Sequence, residues 1–198
     1  RLQRLYDPYR PCAGELGNQV FMTTSPIVSV PVLGIDVGGV LIERASQQSD
    51  TSFFGVRPME TPMVAGALEA VRLLAPLFGF RVHLVSKAGP RIAALTKEWL
   101  ALHGFFEDTG LDAGSMWFVR KREDKAPICA RLGVTHFVDD RVDVLEYLTS
   151  VSFRFLFTGG LGDHPAPLHP PARFRVSGSW SSLGEAIAVT LGEGRHTG

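Results

Sequence analysis

Asp36 stands at the end of an apolar run and is followed by two glycines, in Val32-Leu33-Gly34-Ile35-Asp36-Val37-Gly38-Gly39-Val40-Leu41-Ile42. A carboxylate delivered by a buried strand to a turn of permissive backbone is placed for nucleophilic or metal chemistry. Three further groups lie where apolar runs end or helices begin: Ser86-Lys87, Lys125 and Asp139-Asp140. Their chemistry is mutually consistent. The carboxylates of Asp36, Asp139 and Asp140 can hold a hard divalent cation, which favours oxygen ligands. A serine hydroxyl and a lysine ammonium can hold phosphoryl oxygens and offset the charge of a nucleophile. The glycine backbone beside Asp36 offers N–H groups to cradle the same oxygens.

Each residue also has a plainer reading. Asp36 could cap a turn, and Ser86 could cap the helix entered at Pro90. Lys125 competes with Lys121 inside a charged stretch, Arg120 to Lys125, and is favoured because it starts the helix leading to Asp139-Asp140. The acidic pair is harder to dismiss, since adjacent carboxylates after a buried strand repel unless a cation or Arg141 offsets them. Asp143 could be no more than a charge at a helix N-terminus. The six histidines show no metal-ligand spacing, and His164 and His169 fall in a proline-rich loop.

The elements that must position these groups alternate in type. Strands are predicted at Val32–Ile35, Arg81–Ser86, Met116–Val119, Thr135–Val138 and Ser152–Phe157, with a short one near Phe174–Val176. Helices are predicted at Met63–Phe78 after Pro62, at Pro90–His103, at Ala126–Leu132 ending on Gly133, and at Ser182–Leu191. Repeated β-α-β order predicts an α/β fold, a three-layer doubly wound parallel sheet with helices on both faces. In such a sheet ligands bind at the C-terminal ends of the strands, where the four groups fall.

Composition sets the remaining bounds. With 198 residues, 45% of them hydrophobic, the chain can bury one full core, and residues 26–198 are expected to form a single domain. Residues 1–25 are polar and lack periodicity, so they read as a flexible N-terminal arm, with Met22 a candidate natural start. Lys+Arg and Asp+Glu both number 20, which gives no general electrostatic case for nucleic acid or an anionic membrane. Cys12 and Cys129 are far apart and lack metal spacing, so reduced thiols in a cytoplasmic compartment are expected. No apolar run approaches the ~20 residues of a membrane span.

Four segments, taken in order, resemble the motifs of the haloacid dehalogenase-like (HAD) superfamily, mostly Mg²⁺-dependent phosphohydrolases. Ile35-Asp36-Val37-Gly38-Gly39-Val40-Leu41 resembles the first motif and Leu84-Val85-Ser86-Lys87 the second. Lys125-Ala126-Pro127 with Leu132-Gly133-Val134 resembles the third, and Phe137-Val138-Asp139-Asp140-Arg141 with Asp143 the fourth. Thr61-Pro62 to Gly66 is similar to the family's helix entry. The resemblance implies that Asp36 attacks phosphorus to form an aspartyl-phosphate on a small phosphate ester, such as a nucleotide or sugar phosphate. It implies Mg²⁺ contacts from Asp36, the Gly38 carbonyl and Asp140, with Asp139 or Asp143 completing the acidic shell. Ser86, Lys87 and the Gly38-Gly39 backbone would bind phosphate, and Lys125 would neutralise charge.

The sequence departs from the family pattern at Gly38. Most phosphatases of the superfamily carry there a second aspartate, which protonates the leaving group and then activates water. Glycine can still offer a carbonyl to a metal but cannot move a proton, and that help is typically worth 10²–10⁴-fold. The expectation is therefore a slow enzyme or one with a good leaving group, His83, Glu43 or a substrate hydroxyl being possible substitutes. The alternative is a binding or regulatory protein that keeps the pocket without turnover. Only 49 residues separate Asp36 from Ser86, which leaves Glu43 to Thr61 as a lid and no room for a cap domain. Phe53-Phe54 near the lid's tip could cover substrate, but filling core is the favoured reading. An uncapped site suits a bulky substrate or enclosure by a partner subunit, as in a homodimer.

Overall fold

The computed structural model describes residues 30–45, 53–162 and 166–193. The N-terminal arm, Met22, Cys12 and His164 lie outside the described residues. Six strands form one parallel sheet: β1 (Leu33–Ile35), β2 (Val82–Lys87), β3 (Met116–Val119), β4 (His136–Asp139), β5 (Phe153–Phe157) and β6 (Arg175–Ser177), in the order β3-β2-β1-β4-β5-β6. The chain steps outward from β1 to β3 and then returns to the other side of β1. The β1–β4 pair is thus the switch point of the sheet, where a crevice opens at the strand C-termini.

Among the described residues six helices cover the sheet: α1 (Ala67–Leu77), α2 (Pro90–Leu102), α3 (Phe105–Thr109), α4 (Lys125–Leu132), α5 (Val142–Tyr147) and α6 (Trp180–Glu193). Two separate apolar cores show the layering. One gathers Ala67 and Val71 of α1, Trp99 of α2, Phe105 of α3 and Leu183 of α6. The other gathers Cys129 of α4 and Val144 and Leu145 of α5 against Phe137 and Leu156. The predicted three-layer doubly wound sheet is the observed architecture. Burying the strands between two helical layers removes them from water on both faces, which is why they read as continuous apolar runs.

Two local features bring the β1 end into position. Gly34 is required by packing, because a Cβ there would lie 2.7 Å from Cε2 of Phe137 on the neighbouring strand. The chain after Asp36 then closes a tight turn in which Val37 O accepts from the N–H groups of Leu41 and Ile42 at 2.9 and 3.0 Å. Buried Trp180 donates from Nε1 to Val40 O at 2.8 Å, and Leu41 O accepts from Val64 N–H at 2.8 Å. The segment after β1 is therefore held from both the α6 and the α1 side.

The helix predicted from Met63 starts at Ala67. Met63 pairs with Ile42 in an antiparallel bridge, and Gly66 takes a left-handed φ of 78° that no helix interior allows. Of the 43–61 stretch, the described residues carry a single 3-10 turn, Pro58–Glu60, as regular structure. The Phe53 carbonyl accepts from Ala45 N–H at 3.2 Å, its side chain packs against the core, and Phe54 joins the core.

Candidate active site

Asp36 follows β1 directly, and its N–H donates to Val138 O of β4 at 2.9 Å, which ties the carboxylate to the switch point. Asp139 ends β4 and Asp140 follows it. One ligand oxygen from each of Asp36, Asp139 and Asp140 lies within 4.8 Å of the others, and all three residues are buried. Lys125, the first residue of α4, is 1% exposed and reaches between two of them. Its Nζ stands 2.9 Å from Asp36 Oδ1 and 2.8 Å from Asp139 Oδ2. Burial alone would lower the Lys125 pKa, but Asp139 and Asp36 outweigh it, so the group stays an ammonium with its pKa above the usual value.

The carboxylates differ in what they have left to offer. Asp139 is committed on both sides: Oδ2 accepts from Lys125, and Oδ1 accepts from Arg141 N–H at 3.0 Å. Burial raises its pKa well above the usual carboxylate range, with Lys125 opposing and Asp36 and Asp140 reinforcing. Asp140 meets Arg44 Nε at 2.7 Å through Oδ2, while its Oδ1 is buried with no hydrogen-bond partner among the described residues. Burial pushes Asp140 up to about 6, against the Arg44 charge. An unpartnered buried carboxylate oxygen beside two further carboxylates is a donor set that fits a hard divalent cation. Asp36 Oδ1 is turned to Lys125.

A haloacid dehalogenase-like family hydrolase from Xanthomonas campestris superposes with a TM-score of 0.56 at 13% identity, over 85% of this chain and 99% of that one. A HAD family hydrolase from Deinococcus radiodurans R1, solved with bound phosphate and sodium, superposes with a TM-score of 0.55 at 15% identity, over 83% and 97%. The fold is that of the HAD-like hydrolases. No family model matches the sequence, and no curated protein matches it. At such identities the likeness concerns the HAD-like fold, and the residues must speak for the chemistry.

The remaining candidates distribute unevenly over this HAD-like framework. Ser86 is buried as the penultimate residue of β2, opposite Phe118. It does not cap α2, whose N-cap is Gly89. Lys87 ends β2, half-buried and opposite Val119, with no ion pair among the described residues. Lys121 is an exposed surface residue 3.8 Å from Glu123, so Lys125 is the lysine that enters the cluster. Asp143 lies outside the cluster, bound by Arg141 Nε at 2.9 Å at the start of α5. Burial favours a higher pKa for Asp143, but Arg141 outweighs it and holds it below the usual range.

One expectation for the glycines is corrected. The Gly39 N–H is not free to cradle a ligand, because it donates to Ile42 O at 2.7 Å inside the turn. Gly39 has φ 79°, and a side chain there would strike the Asp140 carboxylate. Its role is to let Asp140 and Arg44 approach the β1 turn. Gly38 bridges to Ile42 through hydrogen bonds made by Gly39 N–H and Val37 O, so its own carbonyl takes no part in the bridge. His83 stands opposite Gly34 within the sheet, with its Nδ1 3.4 Å from Trp117 Nε1, near the start of β2 and away from the C-terminal strand ends.

Arg44 is the site residue that sequence reasoning missed. It lines a cleft of about 740 Å³ beside Asp140, together with Arg141, Val142, Leu161 and Leu168. Nothing in its spacing signals this, since its partner lies far along the chain. Gly160 was missed for the same reason: its carbonyl accepts from Arg44 N–H at 3.2 Å, and a side chain there would strike Gly39 O.

Proposed function

We propose that this chain is a metal-dependent phosphohydrolase that works through an aspartyl-phosphate on Asp36. The observation that carries the reading is the buried Asp36–Lys125–Asp139 chain beside the unpartnered oxygen of Asp140. A structural ion pair would leave no carboxylate oxygen orphaned in the interior, because such an oxygen keeps its full desolvation cost. Asp36 and Asp140, with the Gly38 carbonyl, would hold the metal, taken as Mg²⁺ from the all-oxygen donor set. Bound there, the metal supplies positive charge against the carboxylates and the substrate's phosphoryl oxygens.

The chain's own residues do the rest. Lys125 fixes Asp36 by Oδ1, so the other oxygen is presented to phosphorus, and its ammonium offsets the charge of nucleophile and substrate. Asp139 holds Lys125 in place from the opposite side. Ser86 and Lys87, at the end of β2, would bind phosphoryl oxygens. The cleft of about 740 Å³ beside Asp140 has room for the organic part of a nucleotide or sugar phosphate, with Arg44 and Arg141 on its wall. A titration of the protein with phosphate esters and Mg²⁺, repeated with Asp36→Asn, tests the reading. Turnover that needs both Mg²⁺ and Asp36 is expected. Metal binding without any turnover would instead favour a binding protein.

A further inference from the structure

Position 38 is empty for a reason that the backbone does not supply. Gly38 is not among the glycines with positive φ, so its conformation would accept any residue. What excludes a side chain is Phe53. A Cβ on Gly38 would lie 2.7 Å from Cγ and 3.1 Å from Cβ of Phe53, and closer still to Cδ1. These are atoms at the root of the ring, so rotating its far end gives no relief. The ring would have to swing away about its Cα–Cβ bond and the Phe53 Cβ give by a few tenths of an ångström.

Neither partner is free to yield. The Phe53 carbonyl accepts from Ala45 N–H, and its ring lies 4.6 Å from that of Phe54, which is buried in the core. Gly38 is bridged to Ile42 in the turn that Trp180 clamps. An apolar ring therefore fills the place, two residues beyond Asp36, from which a side chain could exchange protons with a leaving group. Of the other polar groups around Asp36, Asp140 has an unpartnered Oδ1, which the proposed function assigns to the metal, and the rest are committed or cannot give up a proton. Lys125 is shared by two carboxylates, Asp139 is bonded on both oxygens, and Arg44 does not deprotonate in proteins.

The geometry points to Phe53 as the specificity-determining residue of this site, restricting it to phosphoryl compounds whose leaving group departs without a proton. The class is acyl phosphates and esters of acidic hydroxyls, and the inference rests on the aspartyl-phosphate reading of Asp36. In the first step an Asp36 oxygen bonds to phosphorus, and the leaving oxygen departs with the bonding pair as a carboxylate or phenolate. In the second, water attacks the same phosphorus, the bond from phosphorus to the Asp36 oxygen breaks to release the carboxylate, and both of the water's protons leave with the product as dihydrogen phosphate, which exchanges one with solvent. No protein proton is required in either step for such substrates. For an alkyl ester, the departing alkoxide would need one.

The test is a leaving-group series with Mg²⁺, running from acetyl phosphate through substituted phenyl phosphates to glycerol 1-phosphate. The native protein is expected to show kcat/KM falling steeply as the leaving group becomes more basic. In Phe53→Ala with Gly38→Asp the series should flatten, with the alkyl ester gaining about 10²–10⁴-fold. Gly38→Asp alone should not produce that gain while Phe53 remains. A flat series in the native protein, with turnover still lost in Asp36→Asn, would overturn the role of Phe53 and leave the nucleophile standing. So would loss of alkyl-ester turnover in Glu43→Gln, which would make Glu43 the proton donor. Absence of turnover for every member, acetyl phosphate included, would overturn the Asp36 reading and this inference with it.

Discussion

Replacing Lys125 by methionine removes one charge from the interior while keeping most of the apolar stem. The ammonium lies 2.9 Å from Asp36 and 2.8 Å from Asp139, on a residue 1% exposed. Without it, buried carboxylates face one another with Arg44 as the remaining paired cation. Breaking a buried ion pair from one side typically costs about 3–5 kcal/mol, because the surviving charge keeps its desolvation penalty. Against a total stability of about 5–15 kcal/mol, that is a large fraction. With a urea slope near ~2 kcal/mol/M, the unfolding midpoint of Lys125→Met should fall by roughly 2 M. Adding Asp139→Asn removes the stranded carboxylate and should restore a good part of the loss, a non-additivity expected for partners in contact. Mg²⁺ should also narrow the gap, since cation binding to the native cluster stabilises it by mass action. A cost below ~1 kcal/mol, with no recovery in the double variant, would refute the claim that Lys125 neutralises this cluster.

Gly39→Ala forces a side chain into a left-handed position and against Asp140, so both stability and Mg²⁺ affinity should drop, measured by urea unfolding and calorimetric titration. Arg44→Gln removes a cation that contacts Asp140 at 2.7 Å, and Mg²⁺ should bind more tightly, by calorimetry; weaker binding would show that Arg44 instead orients Asp140. His136 is buried in β4 beside Phe78 and Phe153, and burial, with Arg175 adding, lowers its pKa from 6.5 to about 4. A lowered histidine pKa stabilises the fold above the unfolded value of 6.5, and that contribution is lost as pH falls towards about 4. The loss has a ceiling of about 3 kcal/mol, and a His136→Gln variant should show a flatter unfolding profile across that window.

The groups at the strand ends were legible because each combines an apolar run with an abrupt polar stop. Asp36, Ser86 and Asp139-Asp140 carry that signature, and parallel topology alone brings such positions to one edge of the sheet, whereas Lys125 stands in a charged stretch and was legible only as the start of the helix leading to Asp139-Asp140. Contacts made by packing left no such trace. Arg44 reaches Asp140 only because Gly39 and Gly160 let three chain segments approach, and no periodicity encodes that. Phe53 reads as core by composition, yet its ring lies over Gly38 and explains the glycine. The helix start at Ala67 was misplaced because Pro62 is a good first helical residue, whereas Met63 is held by Ile42 instead. Helices α3 and α5 are five and six residues long, too short for a helical period to emerge.

The central claim is that Asp36 takes the phosphoryl group. Rapid acid quench of the native protein during turnover of acetyl phosphate with Mg²⁺, followed by peptide mass spectrometry, tests it most directly. The account predicts a phosphoryl adduct on the peptide containing Asp36, absent without Mg²⁺ and absent in Asp36→Asn. Sustained turnover with no adduct on Asp36, or undiminished turnover in Asp36→Asn, would contradict it.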